Sequence, residues 1–224
     1  MATRKKAFAN EEFFHIYNRG VDKRIIFNDN EDIRRFFQSM IEFNAGAPVG
    51  SLYQNSFRQL SGETPKSENK IVNIIAYCLN PNHFHLVLEQ VTEGGISEFM
   101  KRLGGGYTSY FNSKNKRSGS LFQGVFKAVH IDSNDYLLHV SAYVNLNNRV
   151  HQLSGETPKL VESLSSWKEY VDERVKGICE KGIVLGQFRN ADEYEEFALS
   201  SLESIIQRKQ ELKDIDKFLL EEST

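Results

Sequence analysis

KIVNIIAYCLNPNHFHLVLEQ, residues 70–90, consists of an apolar run, a turn and a second apolar run. The nearly continuous apolar stretch KIVNIIAYCL suits a strand buried on both faces. Pro81 and Asn82 supply turn chemistry, one by its fixed φ and the other by its tolerance of tight backbone geometry. HFHLVLEQ then returns as the hairpin partner. Side chains two apart on a strand share a face. His83 and His85 therefore project together, while Phe84 points the other way, toward a core.

Outward from this hairpin the pattern alternates. EEFFHIYNRG (11–20) reads as a first strand closed by Gly20. DNEDIRRFFQSMIEF (29–43) has apolar residues at Ile33, Phe36, Phe37, Met40 and Ile41, the spacing of a helix, with Asp29 or Asn30 as N-cap. After the hairpin a helix is expected from about Gly95 toward Tyr110, with Ile96, Phe99, Met100 and Leu103 on one side. Gly104, Gly105 and Gly106 each cost a helix about 1 kcal/mol against alanine, so a break, hinge or close backbone approach is expected there. SLFQGVFKAVHI (120–131) predicts another strand, and SNDYLLHVSAYVNLNN (133–148) another helix, capped by Ser133 or Asn134. A last helical stretch lies near NADEYEEFALSSLESIIQ (190–207).

Strand, helix, strand, strand, helix, strand, helix is the order of an α+β, ferredoxin-like split β-α-β sandwich with an antiparallel sheet. The expected division is a domain over 11–150 and a C-terminal helical extension over 151–224, packed on or near it. The octapeptide QLSGETPK occurs at 59–66 and again at 152–159. Its Gly and Pro place both copies in loops, and a separation of that length excludes a solenoid.

Composition narrows the class. With 40% hydrophobic and 26% charged residues the 224-residue chain has the balance of a globular protein. No apolar run is long enough to span a bilayer and the first residues lack a secretory signal, so the expected location is cytoplasmic, away from membranes. Two cysteines make no metal or disulfide pattern, and Cys78 is expected to be a buried thiol. A net charge of −2 conceals an uneven distribution: no acid occurs from Phe99 to Ile131, where Lys101, Arg102, Lys114, Lys116, Arg117 and Lys127 are interleaved with Tyr107, Tyr110, Phe111, Phe122 and Phe126. Such a strip suits a phosphate backbone with unpaired bases. It is equally compatible with solvated lysines.

H-x-H on a strand is either two solvent-facing imidazoles or two arms of a metal site, which needs further ligands. On the helix DYLLHVSAYVNLNNR (135–149), His139, Tyr143 and Asn147 recur every four residues and share a face. That face carries either a half-buried tyrosine with a wet hydroxyl or a nucleophile and a ligand delivered by one rigid element.

NPNHFHLVLE, YTSYFNSKNKRSGSLFQGVFKAVHIDSNDYLLHVSAYVNLNN, SSWKEY and the earlier HIYNRGVDKRIIFNDNEDIRRF together resemble the tyrosine transposases associated with repeated extragenic palindromes. These are single-tyrosine members of the HUH superfamily of single-strand DNA nucleases. The resemblance runs from about residue 11 to 200. It implies that His83 and His85 are the histidine pair, that Tyr143, in YVNLNN, is the nucleophile of the family's Tyr-Ile-x-x-Asn-Pro motif, and that Asn147 joins the histidines on a divalent ion, Mg²⁺ or Mn²⁺. Asn148 stands where the family has proline, Val125 where it has arginine, and Asn82 where aspartate is common.

The implied activity is cleavage and rejoining of single-stranded DNA near hairpins through a 5′-phosphotyrosine. The partner implied is single-stranded or hairpin DNA, with Arg102, Lys114, Lys116, Arg117 and Lys127 as DNA contacts. Both a monomer and a homodimer are compatible with the family. His139 is either a solvent-facing histidine or an auxiliary group that orients Tyr143 or touches a phosphate. Two other functions stay open: a silent hairpin-binding protein with the same fold, and a metal hydrolase recruiting Glu89.

Overall fold

The computed structural model describes residues 7–46, 69–149 and 162–221, with side chains through Gln207. Both copies of QLSGETPK lie outside the described residues. Five strands, β1 (Phe13–Arg19), β2 (Val72–Asn80), β3 (His83–Gln90), β4 (Lys127–Ile131) and β5 (Leu164–Ser165), form one sheet in the order β4-β1-β3-β2-β5. Every pairing is antiparallel. The long helices are α1 (Asn30–Glu42), α2 (Gly95–Lys114), α3 (Asn134–Asn145) and, at the C-terminal end, α6 (Ala191–Glu221). Between β5 and α6 lie the short α4 (Trp167–Val171) and α5 (Gly182–Leu185). This is the expected α+β, antiparallel arrangement. Among the described residues no helix is long and apolar enough to cross a membrane.

The helix starts follow from capping. Asp29 accepts from the Asp32 N–H at the head of α1, and Ser133 accepts from the Tyr136 N–H at the head of α3; each satisfies a donor the helix leaves without a partner.

The sheet is covered on both faces, and alternation decides which residue meets which layer. Phe14, Ile16, Leu79, Phe84, Leu86 and Leu88 pack with α1 and α2. Ile75, Ala76, Cys78 and Val87 face α3 and the C-terminal helices. A bulge in β2 between Ile74 and Ala76 shifts the register there, which lets two successive residues serve the second layer. Cys78 is buried as expected, and burial pushes its thiol up to about 12.

The C-terminal segment shares this second core: Tyr170, Tyr194, Ala198 and Leu202 pack with Leu137, Val140 and Val144 of α3. The α3–α6 contact also has polar fastenings. Asn145 Nδ2 donates to the Tyr194 hydroxyl at 2.8 Å, and that hydroxyl lies 3.2 Å from Ser141 Oγ. Ser166 Oγ donates to Asn145 Oδ1.

Two expectations are corrected. α2 runs unbroken through Gly104–Gly106, because Phe99, Leu103, Tyr107 and Phe111 bury one continuous stripe that outweighs the glycine cost. Close approach does occur, but at Gly106 alone: a Cβ there would lie 2.7 Å from the Phe43 ring, whereas Gly104 and Gly105 face open space. The last long strand is shorter than 120–131, since Gly119 and Gly124 adopt positive φ and the chain enters the ladder only at Lys127.

Candidate active site

The hairpin and α3 meet at one end of the sheet. β3 carries His83 and His85 on the face opposite Phe84, which is 2% exposed and packed between the Phe36 and Phe122 rings. α3 lies over that histidine face. It sets the Tyr143 ring edge-on to His85, with centroids 5.6 Å apart and planes at 83°. One turn on, Asn147 is fully buried and its Oδ1 lies 3.2 Å from His83 Nε2. The structure therefore brings His83, His85, Tyr143 and Asn147 together.

The hydrogen bonds orient these groups. Asn82 Oδ1 lies 2.6 Å from His83 Nδ1. A carbonyl oxygen only accepts, so Nδ1 is the donor, and Asn82 does what an aspartate there would do. His83 Nε2 is then turned toward Asn147 Oδ1. Asn80 Nδ2 donates to both, at 3.1 Å to His83 and 2.8 Å to Asn147. The end of the Asn147 amide aimed at the imidazole is its oxygen. Burial raises the Tyr143 phenol above its ordinary pKa, opposed by a hydrogen bond with Asn147; at neutral pH the hydroxyl keeps its proton and is a weak nucleophile on its own.

A cleft of about 650 Å³ opens over these groups. His83, His85 and Tyr143 form its floor, and Arg19, Lys23 and Lys127 stand around it. Of the expected DNA contacts only Lys127 lines this cleft, with its ammonium 5.9 Å from the centre of the Tyr17 ring. Arg102 is committed to Glu98 at 2.8 Å and to the Ala45 carbonyl at 2.6 Å. Lys114 joins Asp29, Glu31 and Asp32 at 2.8–3.1 Å. Arg117 binds Asn112 and the Ser120 carbonyl and covers Phe111. Lys116 lies two residues beyond the end of α2, with φ +49°. The aromatic half of the strip is corrected too: Tyr107, Phe111 and Phe122 are buried core residues and offer no face to a base. His139 packs on Phe197 of α6, with Nδ1 3.3 Å from Ser201 Oγ, so its ring serves the contact between α3 and α6. Glu89 binds Asn73 at 2.8 Å. It lies four residues beyond His85 on β3, about 13 Å at the rise of a strand.

Sequence reasoning missed His15 and Tyr17. β1 pairs with β3 so that Tyr17 faces His85 directly. His15, buried, places Nε2 2.8 Å from His85 Nδ1, and burial lowers its pKa to about 4, keeping it neutral. The alternation H-I-Y on β1 was visible in the sequence, but only the strand register connects it to H-F-H.

Among the described residues no group of three or more His, Cys, Asp or Glu side chains could hold a metal. The donor set here is different: two imidazoles and an amide oxygen, all neutral. That set would suit a divalent cation whose other ligands supply the negative charge these donors lack.

Residues 52–147 match the family model described as transposase, IS200 like. No curated protein matches the chain. Among solved structures, a REP-associated tyrosine transposase bound to a REP hairpin is 12% identical with a TM-score of 0.47, over 80% of this chain and 90% of that one. A candidate transposase from Deinococcus radiodurans R1 is 12% identical with a TM-score of 0.35, over 70% of this chain and 98% of that one. These structural scores are too low to bear on function. The family match spans the histidine hairpin and the tyrosine helix, and over residues 52–147 the chain is similar to the IS200-like transposases.

Proposed function

We propose that the chain cleaves and rejoins single-stranded DNA beside a hairpin, with Tyr143 as nucleophile. The observation that supports this most directly is the convergence of Tyr143 with His83 and His85 on the floor of one cleft edged by Arg19, Lys23 and Lys127, with Asn147 buried directly behind His83. His83, His85 and Asn147 would hold the cation, Mg²⁺ or Mn²⁺. Bound there, a dication supplies neutralisation of the scissile phosphate and of the charge that builds during attack.

The chain's own residues account for the rest. Asn82 and Asn80 fix His83, and α3 holds Tyr143 beside the imidazoles. Tyr143 Oη forms a bond to phosphorus as the bond from phosphorus to O3′ breaks. The proton lost by the phenol is balanced by the one gained at O3′, and the products are a 5′-phosphotyrosine and a free 3′-hydroxyl. One ester replaces another, so attack by a 3′-hydroxyl reverses the step without an external energy source. Lys23, Lys127 and Arg19 would follow the phosphates of the unpaired strand. Single-stranded DNA fits this cleft because its phosphates can reach the floor without a duplex being opened.

The test uses a 3′-labelled single strand bearing a palindrome, incubated with the full chain and Mn²⁺. A covalent protein–DNA band that Tyr143→Phe abolishes is the expected result. Binding without a band would favour the silent hairpin-binding reading, and cleavage indifferent to Tyr143→Phe would favour a hydrolase.

A further inference from the structure

The two cleft histidines are held in parallel ways. His83 has its Nδ1 on Asn82 Oδ1 at 2.6 Å, and His85 has its Nδ1 on His15 Nε2 at 2.8 Å. For His83 the direction is forced, since an amide oxygen can only accept. For His85 it is a choice, since either imidazole can donate to the other. That choice has a chemical consequence. If His15 donates, the neutral His85 ring must carry its proton on Nε2, and with Nδ1 already engaged it has no nitrogen for a cation. If His85 donates, its Nε2 carries a lone pair, as His83 Nε2 does.

We infer that His15 is a positioning residue for the cation site: its Nε2 accepts the Nδ1–H of His85 and so sets His85 Nε2 as a ligand. This rests on the proposed reading of His83, His85 and Asn147 as the ligand set. The geometry holds the two rings against each other. His15 is 9% exposed and His85 8%, and their rings lie 5.0 Å apart with planes at 23°. β1 and β3 are adjacent antiparallel strands whose register brings Tyr17 opposite His85, so His15 reaches it diagonally on the same face. From above, the Tyr143 ring closes on His15 with centroids 6.0 Å apart. His15 therefore touches both the ligand imidazole and the helix that carries the nucleophile. Groups that fix the tautomer of a ligating histidine from behind in this way change metal affinity by about 10–100-fold when removed.

Two measurements on the full chain test the inference. The first is the ¹⁵N spectrum of the metal-free wild type, with His85 assigned through His85→Gln. The expected result is a His85 ring protonated at Nδ1 and bare at Nε2; a ring protonated at Nε2 overturns the proposal, whether or not the protein binds metal. The second is calorimetric titration with Mn²⁺ alone. His15→Phe should weaken binding about 10–100-fold. His15→Gln, whose Oε1 can accept the same hydrogen bond, should recover most of the loss. Equal affinity in wild type and a folded His15→Phe overturns the role of His15 and leaves the ligand set standing. A wild type that takes up no Mn²⁺ sinks the ligand set instead, with the spectrum still deciding the tautomer. Should His15→Phe fail to fold, the spectrum and His15→Gln carry the decision: Gln binding no better than His85→Ala overturns the inference.

Discussion

Phe84 and His85 are chain neighbours placed in opposite surroundings. Phe84 is locked between Phe36 and Phe122 beneath α1 and α2, whereas His85 meets His15, Tyr17 and Tyr143 at the floor of the cleft. The same contrast holds for cations. Beside the α1–α2 layer, Lys114 and Arg102 are bound to carboxylates and carbonyls of their own fold, while around the cleft Lys23 and Lys127 stand along the wall. Both faces bury apolar side chains, but only the second also carries, at one end of the sheet, a polar constellation that packing alone does not need. The lesson is that a charge or an aromatic ring in a sequence acquires meaning only from the layer it joins.

Substitutions on the two faces should separate these roles. Phe84→Ala is expected to have the largest effect on stability, about 3–5 kcal/mol in urea denaturation, through the cavity it opens. His85→Ala should instead leave the melting temperature within a few degrees of wild type while slowing adduct formation about 10²–10³-fold. A stability loss at His85 as large as that at Phe84 would erase the distinction between the faces.

Lys114→Met sharpens the comparison of cations. It strands the fully buried Asp32 beside Asp29 and Glu31, and we expect a loss of about 2–3 kcal/mol, less than for a fully buried pair because Lys114 keeps some exposure. Adduct yield per folded chain should not change. The bond from Lys114 holds Asp29 below its ordinary carboxylate pKa. The stability it lends is therefore complete above the unfolded carboxylate value and is lost as pH falls through the lower folded one. Wild type and Lys114→Met should accordingly begin to approach one another in stability only as pH falls below about 4, and meet below the depressed folded value.

The smallest effects concern α2. Gly106→Ala must push its methyl against the Phe43 ring and should cost about 1–3 kcal/mol. Gly104→Ala meets nothing and should gain up to about 1 kcal/mol in the same denaturation assay.

What the sequence made legible is local. The hairpin at 80–83, both helix caps and the element order follow from turn residues, capping chemistry and short-range periodicity, and these survive folding because they depend on few distant contacts. His83, His85, Tyr143 and Asn147 were found through spacing of two on a strand and four on a helix, joined by family resemblance. What was not legible is the partner of each side chain across long sequence separations. Tyr107 and Phe111 looked like stacking platforms until α2 turned them inward. Lys114 looked like a phosphate contact until α1 brought three carboxylates to it. His15 had no visible role until the register of β1 against β3 set it behind His85.

The fastening of α3 bears on stoichiometry. The helix that presents Tyr143 is wedged between its own sheet and its own C-terminal helix, tied there through Asn145, Ser166 and Tyr194. Phenol and imidazoles thus come from a single polypeptide, assembled in cis. Under the proposed chemistry each copy is a complete reaction unit, and the fraction of chains that capture DNA should be indifferent to dilution, even if copies associate for some other purpose.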